Sequence, residues 1–165
     1  DNPVNLLPSS VLSYNMQSNT PSTEVTYDIY DGKRNLIQYT TKAGVSTSII
    51  WGYNQTQPIA KIEGAKLSDI TQTLINSIVN ASDDTNANYS ESTLLNQLDA
   101  FRIALPNFQI STYTYKPLIG VTTITPPSGI MEYYCYDTAN RLESVKTNEN
   151  GVLTTLKEYQ YHYIP

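Results

Sequence analysis

The chain has 165 residues, 15 acidic and 10 basic, for a net charge of −5, with one cysteine and one histidine. That length suits one ordinary domain able to bury a core. The lone Cys135 excludes an internal disulfide and a cysteine-based zinc site, and singly scattered Lys and Arg speak against a nucleic-acid partner, which needs a basic stripe to displace counterions from phosphates. No run of about 18 apolar residues is present, so membrane insertion is not expected. Fourteen Tyr against 2 Phe and 1 Trp is the vocabulary of a pleated, half-buried β surface.

The first residues, DNPVNLLPSS, lack the basic start and apolar block of a signal peptide, so the sequence reads as a mature chain or a fragment. Residues 1–24 are expected to form a lead-in strand or loop. Four segments then begin with Tyr and place a branched aliphatic residue six positions later. Two lie in residues 25–63, from Tyr30 to Leu36 (YDGKRNL) and from Tyr53 to Ile59 (YNQTQPI). Two more lie in residues 107–165, from Tyr115 to Val121 (YKPLIGV) and from Tyr136 to Leu142 (YDTANRL). The spacings 53 − 30 = 23 and 136 − 115 = 21 are alike, whereas 115 − 53 = 62 leaves room for an insertion.

Each unit predicts a hairpin. Tyr ends a strand, Asp, Asn, Gly or Pro sets the turn, and the aliphatic residue opens the returning strand. Asp31 and Asp137 hold equivalent turn positions, where the carboxylate caps its own turn instead of serving as one of a catalytic pair. Tyr27, Trp51, Tyr113 and Tyr133 or Tyr134 precede the marker tyrosines, with rings available for cross-strand ladders. Gly44, Gly129 and Gly151 mark the second turns that carry the chain to the next hairpin. The predicted fold class is therefore mainly β, an antiparallel sheet of repeated hairpins.

Residues 64–106 change period. Leu67, Ile70, Leu74 and Ile78, then Leu94, Leu98, Phe101 and Leu105, follow helical spacing and predict an inserted helix-loop-helix. Ser68 and Ser90 are the expected N-caps, and Pro106 the stop. The polar stretch from Asn80 to Tyr89, with Asp83 and Asp84, reads as a solvated linker.

No catalytic, cofactor or metal site is expected. His162, alternating with Tyr161 and Tyr163, reads as the opposite-face residue of a strand. The seven glycines stand apart from one another and form no phosphate cradle. Aromatic rows can stack on sugars, so Trp51 with Tyr53, and Tyr159 with Tyr161 and Tyr163, are the candidate binding residues of a competing reading, a glycan- or protein-binding surface module.

Tyr30-Asp31 with Asn35-Leu36, and Tyr136-Asp137 with Arg141-Leu142, resemble the Tyr-Asp-x-x-Gly-Arg/Asn-Leu signature of RHS or YD repeats. Arg34 and Asn140 stand where that signature has Gly. Asn tolerates a left-handed backbone and Arg resists it, so the first turn is expected to depart from the pattern. The block from Ile50 to Glu63 (IWGYNQTQPIAKIE), followed by Tyr113 to Val121 (YTYKPLIGV), resembles large RHS-repeat surface proteins of Gram-negative bacteria exported by the type IX secretion pathway, with a helical insert at the same place. The resemblance runs from about Tyr27 to Tyr161. It implies a segment of a hollow β-shell, secreted or displayed on the cell surface, and no enzyme. The implied partners are the remainder of a larger chain or other subunits, met through strand edges, and the secretion machinery.

Overall fold

The computed structural model describes residues 7–84, 91–149 and 152–162. Ten strands and two helices follow one another as β1 (Ser10–Tyr14), β2 (Pro21–Tyr30), β3 (Leu36–Thr41), β4 (Ser46–Gly52), β5 (Gln57–Glu63), α1 (Gln72–Asp83), α2 (Glu91–Ala104), β6 (Gln109–Lys116), β7 (Gly120–Thr125), β8 (Glu132–Tyr136), β9 (Leu142–Glu149) and β10 (Val152–Glu158). The strands make a single antiparallel sheet in chain order, β1 to β10. The fold is thus mainly β, and the helix pair enters between β5 and β6, which pair directly, Glu63 opposite Gln109 and Ile62 opposite Ile110.

Turn chemistry explains why the strands double back. At β2–β3 the Asp31 carboxylate accepts the Lys33 and Asn35 N–H groups at 2.9 and 2.8 Å. At β8–β9 the Asp137 carboxylate accepts those of Ala139 and Arg141 at 2.8 and 2.9 Å. In both turns a left-handed residue closes the bend, Arg34 at φ +71° and Asn140 at φ +60°, and both place Tyr opposite Leu, Tyr30 with Leu36 and Tyr136 with Leu142. Arg34 therefore takes the same bend as Asn140. Asp31 supplies enough hydrogen bonds to hold an unfavourable backbone in the same bend. The β6–β7 turn is similar in outline, with Tyr115 opposite Val121 and Leu118 at φ +64°. At the far ends of the hairpins, Gly44 and Gly129 take φ +80° and +83° and donate to the Thr41 and Pro126 carbonyls. Gly151 lies outside the described residues.

The sheet buries one face at its centre. Register aligns Ser48, Ile62 and Ile110 in one row and Ile50, Ala60 and Thr112 in the next. Against these rows α1 and α2 set Ile78, Leu94, Leu98 and Phe101, forming one apolar cluster with Ile59, Ala65 and Ile70. Helix contacts concentrate on β4, β5 and β6. Every residue of β1 and of β10 is exposed, so the core lies in the middle of the sheet and not at its ends.

Arg102 ties α2 to the sheet by donating to the carbonyls of Ile110, Thr125 and Pro126. Burial lowers its pKa, with Asp99 opposing the shift.

The start of the insertion differs from the periodicity reading. Leu67 and Ser68 lie in a single 3₁₀ turn, Leu67–Asp69, and α1 begins at Gln72 with Thr71 as N-cap. Asp69 accepts the Lys66 N–H, and Gln38 of β3 accepts the Leu67 N–H, so the first two positions of the pattern, Leu67 and Ile70, fall in a segment docked to the sheet ahead of the α-helix. Ser90, the other expected cap, is outside the described residues. The second helix ends at Ala104, two residues before Pro106. The boundary expected between residues 24 and 25 falls inside β2.

A left-handed non-glycine residue costs about 1–2 kcal/mol, and an added glycine returns part of that through the entropy of the unfolded chain. Arg34→Gly should therefore raise the unfolding free energy by about 1 kcal/mol, while Asn140→Gly changes it by less than half as much, as measured by urea denaturation.

Candidate functional site

The hairpin turns β2–β3, β4–β5, β6–β7 and β8–β9 share one end of the sheet, and there the C-terminal end of α1 meets the β4–β5 turn. Tyr53, Asn54 and Gln55 take φ +51°, +57° and +62°, three consecutive left-handed residues with no glycine among them. Isolated, each would cost about 1–2 kcal/mol. The neighbours hold them. Ser82 Oγ accepts the Tyr53 N–H at 3.2 Å and Asp83 Oδ1 the Asn54 N–H at 2.7 Å. Lys33 donates to the Asn54 carbonyl, and Asn35 Nδ2 donates to the Gln55 carbonyl at 2.9 Å. From the other side the Tyr115 N–H donates to Tyr53 Oη at 2.9 Å, and the two rings meet edge to face at 87° with centroids 5.7 Å apart.

This geometry corrects the repeat reading at one unit. Tyr30, Tyr115 and Tyr136 lie in strands, whereas Tyr53 lies one residue beyond β4, inside the turn, because register there pairs Gly52 with Gln57. Ile59 consequently sits two residues into β5, fully buried. Trp51 and Tyr53 do not share a strand face. The solvated-linker reading of Asp83 also fails. It is the last residue of α1, half-buried, and bonded to the turn.

Between the β4–β5 and β6–β7 turns lies a cleft of about 760 Å³, its walls including Tyr53, Asp83, Tyr115, Pro117 and Val121. Tyr115 is pushed up to about 12 by burial, with Tyr113 adding to the shift, so its phenol stays protonated at neutral pH. Ser82 donates to the Val79 carbonyl at 2.7 Å as well as receiving Tyr53, and Asp83 receives both Asn54 and Ser82. These polar groups hold the turn in place. Among the described residues, no three His, Cys, Asp or Glu side chains gather to hold a metal ion.

The other candidate binding residues are partly committed too. Trp51 is half-buried and donates its indole N–H to the Leu36 carbonyl at 3.0 Å. Tyr159 and Tyr161 lie past the end of β10 at Glu158, 40% and 44% exposed, and so does His162, which is not the strand residue its alternation predicts. Backbone bonding from Tyr159 to the Glu143 carbonyl draws this stretch along β9 instead. Tyr161 donates to the Leu142 carbonyl at 2.8 Å, and the Arg141 guanidinium stands 4.4 Å from its ring centroid. Tyr163 is outside the described residues.

The signature residues form bonds of their own. Tyr30 Oη donates to the Pro8 carbonyl at 2.7 Å, and Tyr136 Oη to the Val121 carbonyl at 2.9 Å, each reaching back over an earlier part of the chain. A Cβ on Gly120 would overlap Tyr136 Oη, so that glycine makes room for the ring. Arg141 bonds Asp137 at 2.7 Å, and its backbone N–H and side chain hold the Asp137 carboxyl below the usual carboxylate range. Sequence reasoning missed Gly52, Ser82, Asp83 and Arg102. The Trp-Gly-Tyr order was the one available signal, since an interior strand glycine marks a close approach.

No family model matches the chain, and no curated protein matches it. No helix among the described residues is long and apolar enough to cross a membrane.

Two outcomes test this site. A Cβ on Gly52 would overlap Ser82 Oγ and come within 2.9 Å of Ile59, so Gly52→Ala should destabilise by about 1–3 kcal/mol, read by thermal denaturation. Tyr115 and Tyr134, both raised to about 12 mainly by burial, are neutral in the folded chain at pH values where the unfolded chain has begun to ionise. The unfolded state then binds fewer protons, so stability should fall as pH rises from about 10 toward 12. Thermal midpoints across that range should drop less steeply in Tyr115→Phe.

Proposed function

We propose that this chain is a non-catalytic scaffold, a segment of the wall of a secreted or surface-displayed RHS/YD-repeat shell belonging to a larger bacterial protein. The observation that carries the reading is the equivalence of the Asp31 and Asp137 turns. Each has an Asp accepting the N–H groups two and four residues on, a left-handed residue at the signature's glycine position, and a facing Tyr–Leu pair. They occur at the Tyr-Asp and Asn/Arg-Leu positions that carry the family resemblance. Supporting it is the order of the sheet, in which the ten strands among the described residues are added one after another in chain order, which is how a wall grows by repetition.

The scaffold reading gives the parts simple roles. The helix pair anchors the wall at one place, the Asp turns fix the height of each hairpin, and the outer strands meet neighbours. Its partners would be the rest of the larger chain or other subunits, joined through the edges of β1 and β10. In the intact protein that carries this chain, amide hydrogen exchange along β1 and β10 is then expected to be as slow as along β5. Fast exchange at both edges in that intact protein, matching the isolated chain, would reject the wall.

A further inference from the structure

We propose that the cleft between the β4–β5 and β6–β7 turns is a binding site for an organic ammonium ion, a protonated amine carried on an apolar body. The proposal goes beyond the scaffold reading and does not depend on it.

Size and lining define the body of the ligand. At about 760 Å³ the cleft falls within the range of small-molecule sites, roughly 300–1,000 Å³. Tyr53, Tyr115, Pro117, Leu118 and Val121 give it apolar walls, and the two tyrosine rings stand edge to face at 87°. Such walls suit a hydrocarbon or aromatic group better than a sugar, whose hydroxyls would each need a partner.

Charge defines the head group. Asp83 is half-buried in the wall. Its Oδ1 receives the Asn54 N–H at 2.7 Å and the Ser82 hydroxyl at 3.2 Å, while Oδ2 carries no hydrogen bond among the described residues. Asp83 also ends α1, at the negative pole of the helix, and the last turn of α1 holds no basic residue. A carboxylate in that position is repelled by its own helix, and a cation in the cleft relieves the repulsion. A guanidinium fork needs both carboxylate oxygens. With Oδ1 taken, one N–H of an ammonium is the better match. Lys116, on the opposite wall, is exposed and keeps its charge in water.

Backbone strain marks the same place. Leu118 is fully exposed and left-handed at φ +64°. In the β2–β3 and β8–β9 turns an Asp carboxylate supports the left-handed residue. Lys116 follows Tyr115 where Asp31 and Asp137 follow Tyr30 and Tyr136, and its side chain offers no acceptor. The fold therefore gains nothing from a leucine here, whereas a ligand lying against it does. With Tyr53 and Asn54 on the facing wall, three left-handed non-glycine residues line one cleft, and strain of this kind gathers at binding sites.

Isothermal titration calorimetry of the full chain tests this, with 2-phenylethylammonium as the probe and 2-phenylethanol as its uncharged control. The probe is expected to bind one to one with a Kd on the order of 1 mM, and the alcohol about tenfold more weakly for want of the charged contact. Asp83→Asn keeps an oxygen for the Asn54 N–H and should bring the two affinities together. Leu118→Gly should weaken the probe about threefold while raising the thermal midpoint of the free chain, because glycine removes part of the wall and relieves the backbone. A leucine serving the fold alone would change the midpoint and leave the affinity as it was. Absence of saturable binding overturns the proposal, as does equal affinity for the alcohol in the wild-type chain or unchanged affinity in Leu118→Gly. The Leu118→Gly result decides on its own if Asp83→Asn fails to fold. None of these outcomes bears on the wall, whose failure is read separately from exchange in the intact protein.

Discussion

The packing of one helical hairpin on three strands is the interaction on which the rest of the structure depends. Ile59, Ile62, Ile78, Leu94 and Phe101 are almost entirely removed from water, and all belong to the cluster between α1, α2 and the β4–β6 face. Burying a side chain of this kind stabilises by about 1.5–3 kcal/mol. Away from the helices the sheet offers little comparable burial. Val145 of β9 is buried, but β1 and β10 are exposed throughout, and those strands are held by backbone pairing and turn chemistry. Insertion and sheet are mutually necessary, because neither can cover its own apolar face.

At the turn end of the sheet, polar groups take over the work that apolar burial does at the centre. Asp31 and Asp137 each satisfy two N–H groups of their own hairpins, which are local bonds that form whenever the strands meet. The β4–β5 turn is different in kind. Its three left-handed residues are held by side chains from two other turns of chain, Lys33 and Asn35 on one side, Ser82 and Asp83 on the other. It can keep its shape only when the helix is docked.

That difference explains what the sequence could and could not reveal. The Asp turns were legible from Tyr30-Asp31 and Tyr136-Asp137, because their bonds span at most four residues. The helix pair was legible from Leu94, Leu98 and Phe101, whose spacing matches the burial observed. Tyr53 was misplaced because its conformation is set by residues 29 positions away, through Ser82 and Asp83, which no local pattern encodes. The same holds for Leu67 and Ser68, where helical spacing was overridden by Asp69 and by Gln38 of a strand distant in sequence. Arg34 shows the converse, a poor residue for its backbone kept in place by an Asp three positions before it.

The pairing of β5 with β6 also bears on how the chain reaches its native state. Every other junction in the sheet joins strands linked by a short connection, which favours rapid zipping of neighbours. At β5–β6, Glu63 faces Gln109 across 109 − 63 = 46 residues. Closing that loop takes more chain entropy than closing a short one, although the penalty grows only with the logarithm of loop length. Among the described residues, this long-range pairing and the helix packing fall at the same seam, because the helices that fill the loop rest on the strands the loop joins. A chain arranged in this way separates local folding from global assembly at a single defined place.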